Sequence, residues 1–278
     1  MTIEFARQEE LPREELLREE VCSVTNESIG FDCLFSLPMP GYALSAQSEA
    51  SLVDRNITTD RILQLLERGV ARTDLALEEK AYDALVRYVG LLMRWNRAYN
   101  LTSIRDPVEM ARRHVLDCLV ILPYLRGTRL LDLGTGAGLP GIVLAIARPD
   151  IECVLLDGTG KKTRFCTQVA TEIGLSNVAV RHMRVEEYAP ETLFTTITAR
   201  AFGPLSVLQR QAGRLLAEGG RLLAMKGTMK GIIKEISDVE ALAKGAGKNT
   251  SNPGGLEIVA LDVPDLAAER HLVIVERR

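Results

Sequence analysis

The chain has 278 residues, of which 46% are hydrophobic and 26% charged, a length sufficient for one or two domains with a buried core. No run of 18 apolar residues occurs, and the first residues lack the basic and apolar regions of a secretory signal, so we expect no membrane partner. Five cysteines, an odd number without C-x-x-C spacing, argue against a disulfide framework or a zinc site. We therefore expect a cytoplasmic protein with reduced thiols and no metal.

Charge is distributed unevenly along the chain. Residues 1–56 carry a net charge of −7, whereas residues 57–278 carry +4. The first segment also contains the helix breakers Pro38, Pro40 and Gly41, which favour loop or disorder. We predict an acidic, disordered leader, a small helical region and an α/β domain, which span residues 1–56, 57–126 and 127–278.

The spacing of apolar residues predicts three helices and then an alternating strand and helix pattern. The helices of the first region run from residues 58–60 to Arg68 with Gly69 just past the end, from 77 to 99, and from Pro107 onward. The predicted strands are 129–133, 152–156, 178–181, 194–198 and 221–225, and the helices between and after them are 142–148, 161–173, 205–216 and 229–243. This alternation is typical of a parallel sheet with right-handed crossovers. Two last strands, 256–261 and 271–275, lie too close together for a helical crossover and predict an antiparallel hairpin.

A glycine-rich loop, DLGTGAGLPG at residues 132–141, follows the first predicted strand and opens a helix. Glycines such as Gly134 and Gly136 allow a tight turn and the close approach of a ligand to the backbone. Asp157 ends the next strand, where a carboxylate can accept hydrogen bonds from a ribose diol. The loop and Asp157 together predict a nucleotide-binding site.

The loop alone leaves the nucleotide open. Residues 136–141 also satisfy G-x-G-x-x-G, the NAD fingerprint, so an NAD-dependent oxidoreductase is one alternative. Two features favour S-adenosylmethionine (SAM). Asp132 lies two residues before Gly134, where it can meet the ammonium of a methionine moiety, and dinucleotide domains do not usually end in an antiparallel hairpin. A SAM-fold binding protein without activity is the second alternative.

Seven segments carry a resemblance to a known family. They are RWNRAYNLT at 94–102, RHVLD at 113–117, DLGTGAGLPGI at 132–142, RVEE at 184–187, ARA at 199–201, MKG at 225–227 and ERHLVI at 269–274. In this order and spacing they resemble the bacterial RsmG (GidB) family of 16S rRNA guanine-N7 methyltransferases. The resemblance implies a Rossmann-like, SAM-dependent methyltransferase sheet, mostly parallel with a C-terminal antiparallel hairpin, preceded by helices. It also implies SAM contacts from Gly134, Leu139, Val185, Glu186 and Arg200.

The chemistry of guanine N7 agrees with what the sequence lacks. N7 has an in-plane lone pair and no proton, so methyl transfer to it needs alignment and exclusion of water rather than a general base. The segment 195–200, TTITAR, is not the [N/D]-P-P-[Y/F] motif used for exocyclic amines. We therefore assign no catalytic base, and give Arg200 either a positioning role or a scaffold role in a pair with Glu186. Three cysteines fall on apolar patterns and are expected in the core: Cys118, Cys153 and Cys166.

Basic residues flank the glycine loop and form the predicted RNA-binding set. Its members are Arg94, Arg97, Arg112, Arg113, Lys161, Lys162, Arg164 and Lys226, with Arg105 beside them. Cationic side chains suit an RNA backbone, although a solvated basic face is the alternative, and Lys226 is as readily a scaffold residue. We expect His114 to be a structural hydrogen-bonding residue and Trp95 a core anchor. The implied partner is 16S rRNA or a 30S assembly particle, approached by a monomer.

Overall fold

The computed structural model describes residues 46–245 and 255–277. The predicted leader therefore lies for the most part outside the described residues, together with Cys22 and Cys33. Its last part, 46–56, is helical, because the first helix begins at Ala46 rather than near Thr58. The first helix therefore begins ten or more residues earlier than the spacing predicted, and the disorder of the leader stays a prediction.

Helices precede and flank the sheet. Their bounds are α1 Ala46–Val70, α2 Glu79–Tyr99, α3 Pro107–Met110, α4 Asp117–Leu119, α5 Gly141–Ala147, α6 Gly160–Ile173, α7 Leu205–Gly213 and α8 Met229–Gly245. A π-helical segment, Ala111–Leu116, joins α3 to α4 without a break. As predicted, Pro107 is the first residue of α3, and the Asp106 side chain accepts a hydrogen bond from the Glu109 amide at 2.8 Å.

Seven strands form one sheet in the order β3-β2-β1-β4-β5-β7-β6. Their bounds are β1 Arg129–Leu133, β2 Glu152–Asp157, β3 Val178–His182, β4 Phe194–Arg200, β5 Leu216–Lys226, β6 Leu256–Ala260 and β7 His271–Glu276. The first five strands are parallel, and β7 is antiparallel to both β5 and β6. The predicted mostly parallel sheet with a C-terminal antiparallel hairpin is confirmed.

The boundaries of β4, α7 and β5 differ from the prediction. Strand β4 continues through Arg200, so this residue ends the strand instead of following it. Strand β5 begins at Leu216 because this buried residue pairs with Phe194 of β4 across an irregular register, and α7 accordingly ends at Gly213. The predicted helix 205–216 is therefore too long.

Alternating side chains of the buried strands supply two hydrophobic layers, one on each face of the sheet. On one face, Leu130 and Leu155 pack with α1, α2, α5 and α6. On the other face, Leu131 and Val154 pack with α7 and α8. The helical region and the sheet thus share one core.

The helices before the sheet are held close to the glycine loop. The fully buried Tyr88 of α2 donates its hydroxyl hydrogen to the carbonyl of Ala137 at 2.8 Å. Gly69 lies inside α1, not past its end, and a Cβ there would be 2.7 Å from a methyl carbon of Leu116. A glycine at this position lets α1 approach the π-helical segment closely.

Candidate active site

The glycine loop turns sharply between β1 and α5. The amides of Gly134 and Thr135 both donate to the carbonyl of Leu156, at 2.8 and 3.1 Å, which ties the loop to the end of β2. Gly134 and Gly136 have φ values of +64° and +59°, which L side chains rarely adopt. A Cβ on Gly134 would lie 2.5 Å from the Phe202 ring, whereas the nearest atom to a Cβ on Gly136 would be a carbonyl oxygen at 3.8 Å. The loop is therefore closed by Phe202 at its first glycine and open to a ligand at its second.

Asp132 organises this loop from within the core. Its carboxylate is fully buried and accepts hydrogen bonds from the Thr135 hydroxyl at 2.6 Å, the Gly141 amide at 2.9 Å and the Thr198 hydroxyl at 3.0 Å. Burial raises the pKa of Asp132, and these hydrogen bonds oppose the rise. The predicted contact with a ligand ammonium finds no support here, because protein donors enclose the carboxylate.

Asp157 is the last residue of β2 and faces the loop. Its Oδ2 atom accepts from the Gly136 amide at 3.0 Å, and its Oδ1 atom accepts from the Thr159 amide at 2.8 Å. Lys162 approaches Oδ2 at 3.5 Å. A carboxylate has about four acceptor positions, so acceptor capacity remains for a ribose hydroxyl. The same residue also stabilises the turn before α6 through its contact with the Thr159 amide.

The remaining predicted cofactor contacts lie in the turns around the same edge. Leu139 is buried in the turn before α5. Val185 is buried at the start of a single 3₁₀ turn, Val185–Glu187, between β3 and β4. Glu186 is exposed there and accepts a hydrogen bond from Gln211 of α7 at 3.0 Å. The scaffold pair between Arg200 and Glu186 is not seen.

Arg200 instead belongs to a half-buried polar cluster at the end of β4. Its Nη1 atom lies 3.6 Å from Oδ2 of Asp117 and 3.4 Å from Nδ1 of His114. Nε of Arg270 donates to the other oxygen of Asp117 at 2.8 Å. Burial raises the pKa of Asp117, while Arg270 and Arg200 pull it down. Two guanidinium groups therefore share one buried carboxylate. The next residue, Ala201, has φ of +54°, an uncommon conformation at the exit from the strand.

His114 connects this cluster to the segment after α2. Its Nε2 atom lies 2.8 Å from the Thr102 hydroxyl, and Nδ1 lies 3.1 Å from the carbonyl of Arg113. The buried Asn96 in turn accepts from the Thr102 amide at 2.9 Å. Burial, and then the Arg200 charge, lower the pKa of His114 from 6.5 to about 4. His114 is thus neutral at pH 7 and engaged through both ring nitrogens, which agrees with the structural role expected of it.

Lys226, at the end of β5, is held by protein groups. Its ammonium group donates to both carboxylate oxygens of Glu235 in α8, at 2.7 and 3.1 Å, and to the carbonyl of Gly203 at 3.1 Å. Glu235 also accepts the amide of Leu205 at 2.8 Å. These contacts support the scaffold alternative for Lys226, because its three donors are all in use.

The predicted RNA-binding residues fall into two groups, those whose side chains contact another protein group and those without an ion pair. Arg94 pairs with Glu172 at 3.2 Å and Arg112 pairs with Glu109, whereas Lys161 donates to the carbonyl of Tyr99 at 3.2 Å. Lys162 and Lys226 pair with the carboxylates of Asp157 and Glu235. The remaining members are Arg97, Arg113 and Arg164, which are exposed and make no side-chain ion pair within the described residues. The prediction that this set binds RNA is not tested by these contacts.

The site lacks a reactive thiol among the described residues. Cys118, Cys153 and Cys166 are buried, as predicted, and burial raises the pKa of each thiol. No group of three or more His, Cys, Asp or Glu residues in the described ranges has a metal-binding arrangement. Likewise, no helix within those ranges is long and apolar enough to cross a membrane.

Several site residues escaped the sequence prediction. Asp117, Arg270, Thr102 and Asn96 all lie inside segments that carried the family resemblance, and that was the available signal. Their contacts were not predictable, because Asp117 and Arg270 are separated by 153 residues.

The fold and the site together define a class of protein. Dinucleotide-binding sheets have the strand order 3-2-1-4-5-6, whereas here an antiparallel β7 lies between β5 and β6. With a glycine loop after β1 and an acidic residue at the end of β2, this is the architecture of SAM-dependent methyltransferases. The open side of the loop at Gly136 and the remaining acceptor capacity of Asp157 fit that cofactor.

The chain belongs to the family described as rRNA small subunit methyltransferase G (GidB), which residues 81–251 match. Similar proteins named Ribosomal RNA small subunit methyltransferase G include one from Alkalilimnicola ehrlichii, 48% identical over 77% of this chain and 92% of that one. Others are from Nitrosococcus oceani, 46% identical over 77% and 94%, and Klebsiella pneumoniae strain 342, 41% identical over 77% and 98%.

Solved structures with a similar chain path are more distant in sequence. The apo form of the SAM-dependent methyltransferase SibL is 17% identical, with a TM-score of 0.46, and the match covers 84% of this chain and 77% of that chain. A predicted O-methyltransferase from Agrobacterium tumefaciens is 20% identical, with a TM-score of 0.45 over 59% and 80%.

Proposed function

We propose that this protein transfers the methyl group of SAM to N7 of a guanine in small-subunit ribosomal RNA. Membership of the rRNA small subunit methyltransferase G family supports the reaction and the RNA class. The choice of N7 rests on the chemistry of the site.

The observation that carries this choice is that the acidic and basic groups near Arg200 are already paired or neutral. Asp132 is enclosed by three donors, and Asp117 is shared by two guanidinium groups. His114 has a pKa of about 4, and both of its ring nitrogens face partners, so it is a poor proton acceptor. These groups suit a nucleophile that has no proton to lose, which is the property of guanine N7.

The chain's own residues bind and align the reactants. SAM supplies an activated methyl group on a positively charged sulfur. The loop at Gly136 and the carboxylate of Asp157 would hold its nucleoside part, with Leu139 and Val185 as apolar neighbours. Arg200 is the proposed positioning residue, since Asp117 and His114 fix its guanidinium two residues before Phe202, which covers Gly134. Rate enhancement would come from alignment and from exclusion of water.

The basic residues around this edge would contact the RNA backbone, and the exposed members are Arg94, Arg97, Arg113, Lys161 and Arg164. We propose that the substrate is 16S rRNA, free or within a 30S assembly particle, and that a monomer acts on it in the cytoplasm. Size-exclusion chromatography with light scattering tests the monomer, and parallel assays on naked rRNA and 30S particles identify the substrate form.

Incubation of the protein with methyl-labelled SAM and 16S rRNA, followed by mapping of the label, tests the activity. We expect one labelled guanine whose strand is cleaved by borohydride and aniline, a treatment that breaks RNA at N7-methylguanosine. Labelling of another base, or of a guanine that resists this treatment, would overturn the proposed position. Thermal stabilisation by NAD but not by S-adenosylhomocysteine would overturn the cofactor assignment.

A further inference from the structure

A row of three aromatic rings leads from the core to the surface where α2 meets α6. Phe165 is fully buried, and its ring centroid lies 5.6 Å from that of Trp95. Tyr99 stacks on Trp95 at 5.0 Å with an interplanar angle of 29°, yet 40% of Tyr99 remains exposed. Because Trp95 covers one face of the Tyr99 ring, a partner of this ring would use its edge or its opposite face. Trp95 is thus the anchor it was expected to be, and Tyr99 is the accessible ring.

The backbone that carries Tyr99 is fixed by its neighbours. Asn100 ends α2 in the left-handed conformation, and its amide donates to the carbonyl of Asn96 at 3.3 Å. Arg105 donates to the side-chain oxygen of Asn100 at 2.7 Å, and Lys161 of α6 donates to the carbonyl of Tyr99 at 3.2 Å. A ring held in place in this way loses little conformational entropy when it binds a partner.

Cations lie near Tyr99: Lys161 contacts its backbone carbonyl, and Arg97 is two residues earlier on α2. Lys161 and Arg97 are exposed, and Arg97 has no ion pair or side-chain hydrogen bond within the described part of the chain. Arg97 and Arg105 also line a cavity of about 480 Å³ that opens between α2 and α3. Asp106, in the same lining, is engaged as the cap of α3. An exposed aromatic residue with cations nearby is complementary to a nucleobase with its phosphates.

The ring is also close to the edge that holds the cofactor site. Lys161 and Lys162 are adjacent in the first turn of α6, and Lys162 lies 3.5 Å from the Asp157 carboxylate. At the buried end of the three rings, Cys166 follows Phe165 in the chain, and its sulfur lies 3.6 Å from the carbonyl oxygen of Gly136. A base on Tyr99 would therefore sit beside the RNA that enters the active site.

We propose that Tyr99 is a stacking platform for an unpaired base of the RNA substrate, with Lys161 and Arg97 contacting the flanking phosphates. This inference rests on the proposed function, because it assigns a further binding surface for the same substrate. Stacking accepts any base, so the platform supplies affinity and placement rather than sequence recognition.

The experiment compares Tyr99→Leu with Tyr99→Phe and Tyr99→Trp in the full chain. Leucine keeps apolar cover on Trp95 but removes the aromatic face, whereas phenylalanine and tryptophan keep it. Ile233→Ala is the matched control, since Ile233 is an exposed apolar residue, 56% accessible, of α8 on the other side of the sheet. The probes are protein-free 16S rRNA transcript for RNA affinity and S-adenosylhomocysteine for cofactor affinity.

We expect Tyr99→Leu to weaken rRNA binding roughly five- to hundred-fold, the range measured for loss of one stacked base, with cofactor affinity unchanged. Tyr99→Phe, Tyr99→Trp and Ile233→Ala should bind rRNA as the parent chain does. Equal rRNA affinity for Tyr99→Leu and the parent would overturn the platform, and so would failure of phenylalanine to restore binding. A loss seen with 30S particles but not with naked rRNA would indicate a protein contact instead.

The two proposals fail in different ways. If the parent chain methylates guanine N7 but Tyr99→Leu binds and methylates rRNA equally well, only the platform is wrong. If the parent chain methylates no base of 16S rRNA, the proposed function is wrong whatever Tyr99 does.

Discussion

Single residues in this protein take their properties from burial more than from sequence position. Asp132 and Asp157 both flank the glycine loop, but Asp132 is enclosed by donors inside the core, and Asp157 lies at its edge. His114 shows the same principle, since desolvation is the first cause of its low pKa. At residue scale, the site is a set of neutral or paired groups around Arg200.

The low pKa of His114 predicts a pH dependence of stability. Its pKa is about 4 in the folded chain against an ordinary 6.5. As the pH falls from 6.5 toward 4, the unfolded chain takes up a proton that the folded chain does not. The free energy of unfolding should therefore decrease over this window, by up to about 3 kcal/mol from this residue. His114→Gln should show a shallower decrease in denaturant unfolding measured between pH 7 and 4.

His182→Gln is the control for this experiment, because His182 is an exposed histidine at the end of β3. That variant should keep the pH dependence of the parent chain. If the free energy of unfolding of His114→Gln fell with pH as steeply as that of the parent chain, His114 would take up its proton as readily in the folded chain as in the unfolded chain.

Helices and strands with a clear periodic spacing of apolar residues could be predicted from the sequence. The contacts between elements distant in the sequence could not. All seven strands and the glycine loop followed from alternation, apolar runs and glycine spacing. The end of β4 at Arg200 and the start of β5 at Leu216 depend on cross-strand pairing, which a single segment does not encode. For the same reason, the contacts among Asn96, Thr102 and His114 were not predicted.

The glycine loop gives a prediction with a closely matched control. Gly136→Ala places a methyl group on the loop with only an ordinary contact at 3.8 Å, and Gly174→Ala places one into open space at the end of α6. Both glycines have positive φ, +59° and +82°, so each alanine should cost about 1–2 kcal/mol of stability. Only Gly136→Ala should weaken SAM binding, by roughly tenfold or more, as measured by calorimetry. Equal SAM affinity in the two variants would contradict the assignment of the loop.

Helix α6 contributes the most testable part of the RNA surface. Lys161 and Arg164 are exposed, whereas Lys162 contacts Asp157 and should be left in place. Lys161→Ala with Arg164→Ala should weaken rRNA binding and lower the slope of log affinity against log salt by roughly 0.7–0.9 for each lost phosphate contact. SAM affinity should be unchanged.

The exposed lysines of α8, Lys230 and Lys234, provide the control pair for that measurement. Their double alanine variant removes two positive charges on the other side of the sheet and should keep the parent slope. If both double variants lower the slope equally, the RNA contact is not localised to α6.

At the scale of the whole molecule, the shared core joins the preceding helices to the sheet. Buried residues of α1 and α2, including Leu66 and Leu85, belong to the same cluster as Leu130 and Ile142. The relative from Klebsiella pneumoniae strain 342 is matched over 98% of its length by 77% of this chain. The Klebsiella relative is therefore shorter than this chain.

We predict that a chain beginning at Ala46, the first residue of α1, folds and methylates as the full chain does. The reason is that the described helices and strands, with the core they share, all begin at or after Ala46. Thermal unfolding and the labelled-SAM assay measure the two properties. A loss of activity or solubility would assign a role to residues 1–45.

In the proposed reaction the methyl group goes to guanine N7 without a general base. The most direct measurement uses 16S rRNA in which the mapped guanosine is replaced by 7-deazaguanosine, which has carbon in place of N7 and keeps its pairing edge. We expect this RNA to bind the protein with the affinity of the parent RNA and to accept no labelled methyl group. Methylation of the 7-deaza RNA at the parent rate would contradict the account, since it would place the methyl acceptor at another atom.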